Sequence, residues 1–260
     1  LKDIQKEQDY RGVMIQEVGV SGVQTPINVV SKSGAFVSTV AFLSMGVELA
    51  ADVKGTHMSR FLEALQDQGS VLDSTNPTEL AKDICDRLKS VTCKVQYEFP
   101  YFVERNAPVS GKPSLVDYQV KFISSIKNGQ IEPTHFEVTV PIATLCPCSK
   151  EISLYGAHNQ RGYVVLEVFL KESAYLHFEA LIDMIETCGS APLINLLKRT
   201  DEKFVTEQAY ENPVFVEDVV RNVAVKIKEA QEVAEYAIRV TNHESIHTHN
   251  AYAVVRGKNS

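Results

Sequence analysis

Cys146 and Cys148 flank a single proline, and His158 follows ten residues after the second cysteine. Proline fixes its own φ and restricts the residue before it, so the Cys-Pro-Cys turn is stiff. It is too short for an ordinary disulfide, which needs a larger Cα separation. Thiolate sulfur and imidazole held close together suit a zinc-like ion. Three local ligands are too few for a closed structural site, and an open position leaves room for an activated water. The plainer reading is two buried cysteines ending a strand, followed by a surface histidine.

A second cluster, Asn242-His-Glu-Ser-Ile-His-Thr-His-Asn250, packs three histidines and one carboxylate into seven residues. Strand alternation there would put His243, Ser245, His247 and His249 on one face and Glu244 on the other. A histidine in this setting can shuttle protons near neutral pH, with Glu244 to orient it. A solvated turn and a metal-binding histidine tract are the alternatives. Arg199-Thr-Asp-Glu-Lys203 reads as a charged loop, followed by Glu207, Glu211 and Glu217. These carboxylates suit a solvated helix start, although Asp201 or Glu202 could also supply a hard oxygen ligand. Lys54, His57 and Arg60, with Lys150 and Arg161, are the candidates for binding an anion. Gly55 and a helix N-terminus at Thr56 would add backbone N–H groups.

The elements that must position these residues follow from pattern. Residues 1 to about 12 read as a loose polar arm. Thr25–Leu49 reads as a hairpin turning at Lys32-Ser-Gly34. A helix opens at Lys54–Arg60, and a second at Asn76-Pro77, a cap followed by proline, continuing through Leu80, Ile84, Leu88 and Val91. Strands are expected at about 93–103 and 115–126. Asn128-Gly129 then turns the chain into a strand at about 136–143. The second half offers a β-rich run through Tyr163, Val165 and Phe169 and a helix through Leu176, Leu181, Ile182 and Ile185. A further helix opens at Asn212-Pro213 with Phe215, Val219, Val223 and Ile227 in register, and strands at about 234–241 and 251–256 close the chain. Both halves thus read as strands, two helices, strands, with module one at about 12–143 and module two at about 144–260. This pattern implies an α+β fold with antiparallel sheet.

The chain has 260 residues, 44% of them hydrophobic and 23% charged, as in ordinary globular proteins. A formal net charge of −7 argues against nucleic-acid binding, which needs a basic footprint, but not against a small phosphorylated ligand. No stretch approaches the ~20 apolar residues of a membrane span. No secretory leader pattern is present, and five cysteines do not suit a secreted disulfide scaffold. The expected setting is the cytoplasm, without membrane or nucleic-acid partners.

Leu145-Cys-Pro-Cys-Ser-Lys-Glu-Ile-Ser153 followed by Gly156-Ala-His-Asn-Gln-Arg161 resembles the motif of the type IB GTP cyclohydrolases. Lys54-Gly-Thr-His-Met-Ser-Arg60, Ala107-Pro-Val-Ser-Gly111, Asp201-Glu-Lys203, Tyr210-Glu-Asn-Pro213 and Glu244-Ser-Ile-His247 resemble further blocks of that family, in the expected order. The resemblance implies a bimodular tunnelling fold of two ββααββ modules, with antiparallel sheets forming β-barrels across the subunits of a homotetramer and helices outside. It implies conversion of GTP and water to 7,8-dihydroneopterin triphosphate and formate, the first step toward tetrahydrofolate. One divalent metal ion would be held by Cys146, His158 and Glu202; zinc suits these ligands, and manganese or iron tolerate them. His247 with Glu244 would move protons, Glu217 would hold the guanine, and Lys54, His57, Arg60 and Arg161 would hold the triphosphate. Cys148 is implied as an active-site neighbour. Another tunnelling-fold enzyme acting on a pterin or purine, and a non-enzymatic metal or purine-nucleotide binding protein, are the competing classes.

Overall fold

The structure is a computed structural model that describes residues 4–73, 76–172 and 174–259. Eleven strands carry the fold among these residues. They are β1 (Ile15–Val30), β2 (Phe36–Leu49), β3 (Val71–Leu72), β4 (Cys93–Asn106), β5 (Pro113–Lys127) and β6 (Gln130–Ile131), then β7 (His135–Leu145), β8 (Asn159–Leu170), β9 (Ala191–Pro192), β10 (Val233–Asn242) and β11 (Ala251–Lys258). The helices are α1 (Ser59–Gln68), α2 (Asn76–Leu88), α3 (Pro147–Ile152), α4 (Phe178–Glu186), α5 (Arg199–Glu211) and α6 (Val216–Ile227). Packing divides the chain into two compact units. One comprises the residues up to Pro100 with Lys121–His135; the other comprises Tyr101–Val120 with the chain from Phe136 onward. That boundary is drawn by compactness; the module boundary expected at about residue 143 rests on sequence pattern alone.

In the first unit β1 and β2 form the expected hairpin, but β1 begins at Ile15, ten residues before Thr25. The turn is closed by Gly34 at φ +80°. β2 pairs antiparallel with β4, and the short β3 pairs parallel with β1. Alternation buries Ile27, Val29, Leu43, Met45, Val95 and Tyr97, together with Phe61 of α1 and Leu80 and Ile84 of α2. Val91 lies beyond the end of α2 and is exposed, so the expected apolar stripe stops at Leu88. The arm expected to be loose is tied down where it is described. Ile4–Lys6 form a 3-10 turn, Asp9 N–H donates to the Asp52 carbonyl at 2.8 Å, and Gln8 bridges Val53. Asn128 and Gly129, at φ 51° and 77°, make the two-residue turn that pairs β6 with β5.

In the second unit the strands run β11-β10-β8-β7-β5, with the β10–β11 and β8–β10 pairs antiparallel. One sheet face buries Val138, Val140, Ile142, Val164, Leu166, Val168, Ile238 and Val240. α6 packs on β10 and β11 through Val219, Val223 and Ile227, the stripe read from sequence. Phe178 of α4 meets Phe136 and Tyr101 edge-on, at ring separations of 5.0 and 5.6 Å.

Two expectations need correction here. Arg199–Lys203 is the first turn of α5, not a loop. Asn212-Pro213 ends α5 instead of opening the next helix: Asn212 caps its C-terminus, and α6 starts at Val216 with Phe215 as its exposed cap residue. Asn212 is held in that role by its side chain, which donates to the Gly189 carbonyl at 2.9 Å.

Candidate active site

The end of β7 is clamped from two sides. Leu145 N–H donates to the Ser190 hydroxyl at 2.9 Å, and the Leu145 carbonyl accepts from Val214 N–H at 3.0 Å. The chain then enters α3 with Cys146 extended at φ −71°, ψ 118°, the conformation a following proline favours. Cys146 N–H donates to the His158 carbonyl at 3.1 Å. The Cys146 carbonyl accepts from the Ser149 hydroxyl at 3.1 Å, and the same hydroxyl accepts from His158 N–H at 3.2 Å. The segment from Cys146 to His158 is therefore a loop tied shut at its base.

Both residues line a cavity of about 300 Å³, together with Gln160, Val214–Glu217, Asn242, Glu244, His247, His249 and Ala251. The Val214–Leu145 bond brings the start of α6, and with it Glu217, to the end of β7. Glu244, His247 and His249 come from the β10–β11 loop. That loop is a series of bends, so strand alternation does not sort its side chains. The Glu244 carboxylate stands 3.9 Å from Nδ1 of His158, and the His247 ring stacks on His249 at 5.0 Å. His243 turns away, its ring 4.9 Å from that of Tyr163. Asn242, the last residue of β10, is buried opposite Gly162 of β8. A Cβ at Gly162 would stand 2.8 Å from Oδ1 of Asn242 and 3.2 Å from the Thr144 methyl, so this close approach requires glycine.

Other expected site residues lie elsewhere. Arg161 follows Gln160 on β8 and therefore faces the opposite side of the sheet. It lines a separate cavity of about 430 Å³ with Asp117, Gln119, Thr139 and Tyr163. Lys150 donates to the Tyr210 carbonyl and lies over that ring. Cys148 is exposed and does not line the Cys146 cavity. His57 and Arg60 line a cavity of about 510 Å³ in the first unit, where Arg60 also donates to the Arg87 carbonyl and Lys54 pairs with Glu7 at 2.7 Å. The helix there begins at Ser59, so Thr56 is not its N-terminus.

Asp201 and Glu202 have parted company. Asp201 is fully buried and accepts from Val109 N–H at 2.9 Å, Ser110 N–H at 2.8 Å, the Ser110 hydroxyl at 2.7 Å and Lys198 N–H at 2.8 Å. Burial pushes its carboxyl pKa up, but these hydrogen bonds, led by that of Ser110, outweigh burial and hold it well below the usual range. Asp201 therefore anchors α5 to the Ala107–Gly111 turn and is not available as a ligand. Glu202 is exposed on the first turn of α5 and does not line the Cys146 cavity. Among the described residues no three His, Cys, Asp or Glu side chains are gathered closely enough to hold a metal ion. Sequence reasoning also passed over Gln160, Thr144 and Asn242. Gln160 carried a signal, since it occupies a buried slot in the even-numbered register of Val164, Leu166 and Val168.

No helix among the described residues is long and apolar enough to cross a membrane. A family model described as type I GTP cyclohydrolase FolE2 matches residues 1–253. The GTP cyclohydrolase FolE2 of Akkermansia muciniphila is 47% identical over 257 residues, covering 98% of this chain and 97% of that one. That of Dictyoglomus thermophilum is 44% identical over 260 residues, with 98% and 97% covered. Among solved structures, urate oxidase from Bacillus subtilis superposes with a TM-score of 0.56 at 10% identity, over 93% of this chain and 98% of that one. A highly active mutant of Bacillus sp. TB-90 urate oxidase gives 0.58 at 9%, over 94% and 100%. These are tunnelling-fold proteins, and at such identities the likeness shows the fold alone.

Proposed function

Because this chain belongs to the type I GTP cyclohydrolase FolE2 family, we propose that it hydrolyses GTP at purine C8, releases formate and recloses the ring to 7,8-dihydroneopterin triphosphate, opening tetrahydrofolate synthesis. The observation that carries this reading is the convergence of Cys146, His158, Glu217, Glu244 and His247 on one cavity.

The chemistry of the donors suits a divalent ion. Cys146 and His158 offer soft sulfur and imidazole from one wall, and Glu202 is the oxygen donor that the family resemblance adds. Zinc fits such a set, and manganese or iron also accept it. The Glu202 carboxylate stands outside the Cys146 cavity, so bringing it to the ion would fall to binding or to assembly. When bound, the ion acts as a Lewis acid that lowers the pKa of water.

The chain's own residues supply the rest. Glu217 accepts hydrogen bonds from the guanine N–H edge and sets the purine in the cavity. His247 gives a proton to N7 as C8 becomes tetrahedral, and Glu244 orients the imidazoles. The triphosphate needs cations, and among the described residues no lysine or arginine lines this cavity. His57 and Arg60, with Lys54 beside them, are the cationic group suited to it, contributed by a neighbouring copy. Sheet edges favour the same conclusion: among the described residues β11 ends the strand order of its unit, and most of β1 lacks an outer partner. A homotetramer that closes these edges into barrels satisfies both needs.

The test is to incubate the protein with GTP and zinc, with and without chelator, and to measure formate and a fluorescent oxidised pterin. Both products should form and both should vanish with chelator. GTP left intact by protein loaded in turn with zinc, manganese and iron would overturn the assignment.

A further inference from the structure

Gln160 is a buried amide beside one of the two pocket residues proposed as metal donors. Its Oε1 lies 2.7 Å from Nδ1 of His158, and its Nε2 lies 3.2 Å from the Thr144 hydroxyl oxygen. Thr144, fully buried, directs its own hydroxyl to the Gln160 backbone carbonyl at 3.4 Å. Heavy atoms alone do not say which end of an amide faces which neighbour, or which imidazole nitrogen is protonated; the proton count does. The threonine hydroxyl has one proton and spends it on the Gln160 carbonyl. Its oxygen is then an acceptor toward the amide, which presents NH₂ to Thr144 and its carbonyl to His158. An acceptor facing Nδ1 requires a proton there. The Glu244 carboxylate, which can only accept when ionised, stands 3.9 Å from the same nitrogen.

We infer that Gln160, oriented by Thr144, is a positioning residue: it fixes His158 in the Nδ1–H tautomer and leaves Nε2 with the lone pair that binds the divalent ion. The metal half of this inference rests on the function proposed above; the tautomer half does not. A neutral imidazole binds metal through whichever nitrogen lacks a proton, so fixing the tautomer removes the wrong form before metal arrives. Gln160 reaches no substrate in this role. It acts through His158.

The experiment uses full-length protein labelled with ¹⁵N at histidine. Spectra are recorded metal-free, at a pH well above the ordinary imidazole range, with His158 assigned by its loss in His158→Asn. The wild-type ring should show a protonated Nδ1 and a bare Nε2. Gln160→Leu should lose that preference and bind zinc about 10–100-fold more weakly in competition with a chromophoric chelator. Gln160→Glu, which keeps an acceptor at Nδ1, should restore both properties. A wild-type ring protonated at Nε2 would overturn the positioning role, as would unchanged zinc affinity in Gln160→Leu. If Gln160→Leu does not fold, Thr144→Val serves in its place. It frees the amide to turn and should mix the two tautomers, while an unmixed Nδ1–H ring would remove Thr144 from the device. Failure of wild-type protein to bind zinc would strike the metal reading and leave the tautomer result to stand on its own.

Discussion

The backbone N–H of Cys146 donates to the carbonyl of His158 at 3.1 Å, so two pocket residues twelve positions apart in sequence are neighbours by main-chain pairing. Their side chains can be altered without opening the loop that carries them. Cys146→Ala should therefore fold with a wild-type melting profile but lose bound zinc and GTP turnover together. Elemental analysis and formate release check this, and full zinc occupancy in the variant would remove Cys146 from the ligand set.

Glu217 stands on the first turn of α6, where a carboxylate is favourable for the helix alone. If it reads guanine, Glu217→Gln leaves a hydrogen-bonding mismatch worth about 1–3 kcal/mol, or roughly 5–150-fold in GTP affinity. Zinc content should not change. Equilibrium binding of a non-hydrolysable GTP analogue decides between the two roles.

His247 lines the cavity without a place in the Cys146–His158 loop. Loss of a general acid costs about 10²–10⁴-fold in rate. His247→Ala should show that loss in single-turnover formate release, with zinc content and GTP affinity retained. A parallel fall in zinc content would make the histidine pair with His249 part of a ligand shell.

Asp201 predicts a pH effect on stability. Its carboxyl pKa lies lower in the folded chain than in the unfolded one. Such a group contributes stability that is complete above the unfolded value, about 4, and is lost as pH falls through the folded value. Asp201→Asn should lower the urea midpoint at pH 7, and the gap to wild type should shrink as pH is taken below about 4. A gap that does not change with pH would show that the charge is irrelevant to the anchor.

Ile152, Leu154 and Tyr155 are 83%, 91% and 98% exposed at the tip of the Cys146–His158 loop, an apolar patch that assembly would cover. Leu154→Ser with Tyr155→Ser should shift the protein toward smaller species in light scattering. Complementation probes the shared site directly. Cys146 and Glu217 line one cavity of one chain, so variants at those two positions cannot rescue each other. Cys146→Ala mixed with Arg60→Ala should regain part of the activity once mixed oligomers form. No gain in verified mixed oligomers would place the cationic group in the same chain's site.

Much of the fold could be read from pattern because its drivers are local. The Asn128-Gly129 turn needs two positive φ values, and Val219, Val223 and Ile227 repeat at helical spacing. α5 escaped because it buries little besides Asp201 and Ala209, so its sequence shows charge and no apolar stripe. In the site, the residue types were legible while their convergence was not. The cavity draws on β7, β8, the start of α6 and the β10–β11 loop, and no spacing rule joins four such segments. Arg161 and its neighbour Gln160 line different cavities, because a strand sends successive side chains to opposite faces.

The anchoring of Asp201 has a further effect on its neighbour. A helix advances about 100° of rotation per residue, so pinning one side chain inward sets the azimuth of every other along α5. Glu202 owes its outward heading to that pin. A single-residue insertion between Lys198 and Asp201 would leave the composition of the turn nearly intact and rotate its acidic pair out of phase. The choice of which carboxylate is buried and which is offered outward is thus held by rotational phase, and a length change would scramble it where a point substitution would not.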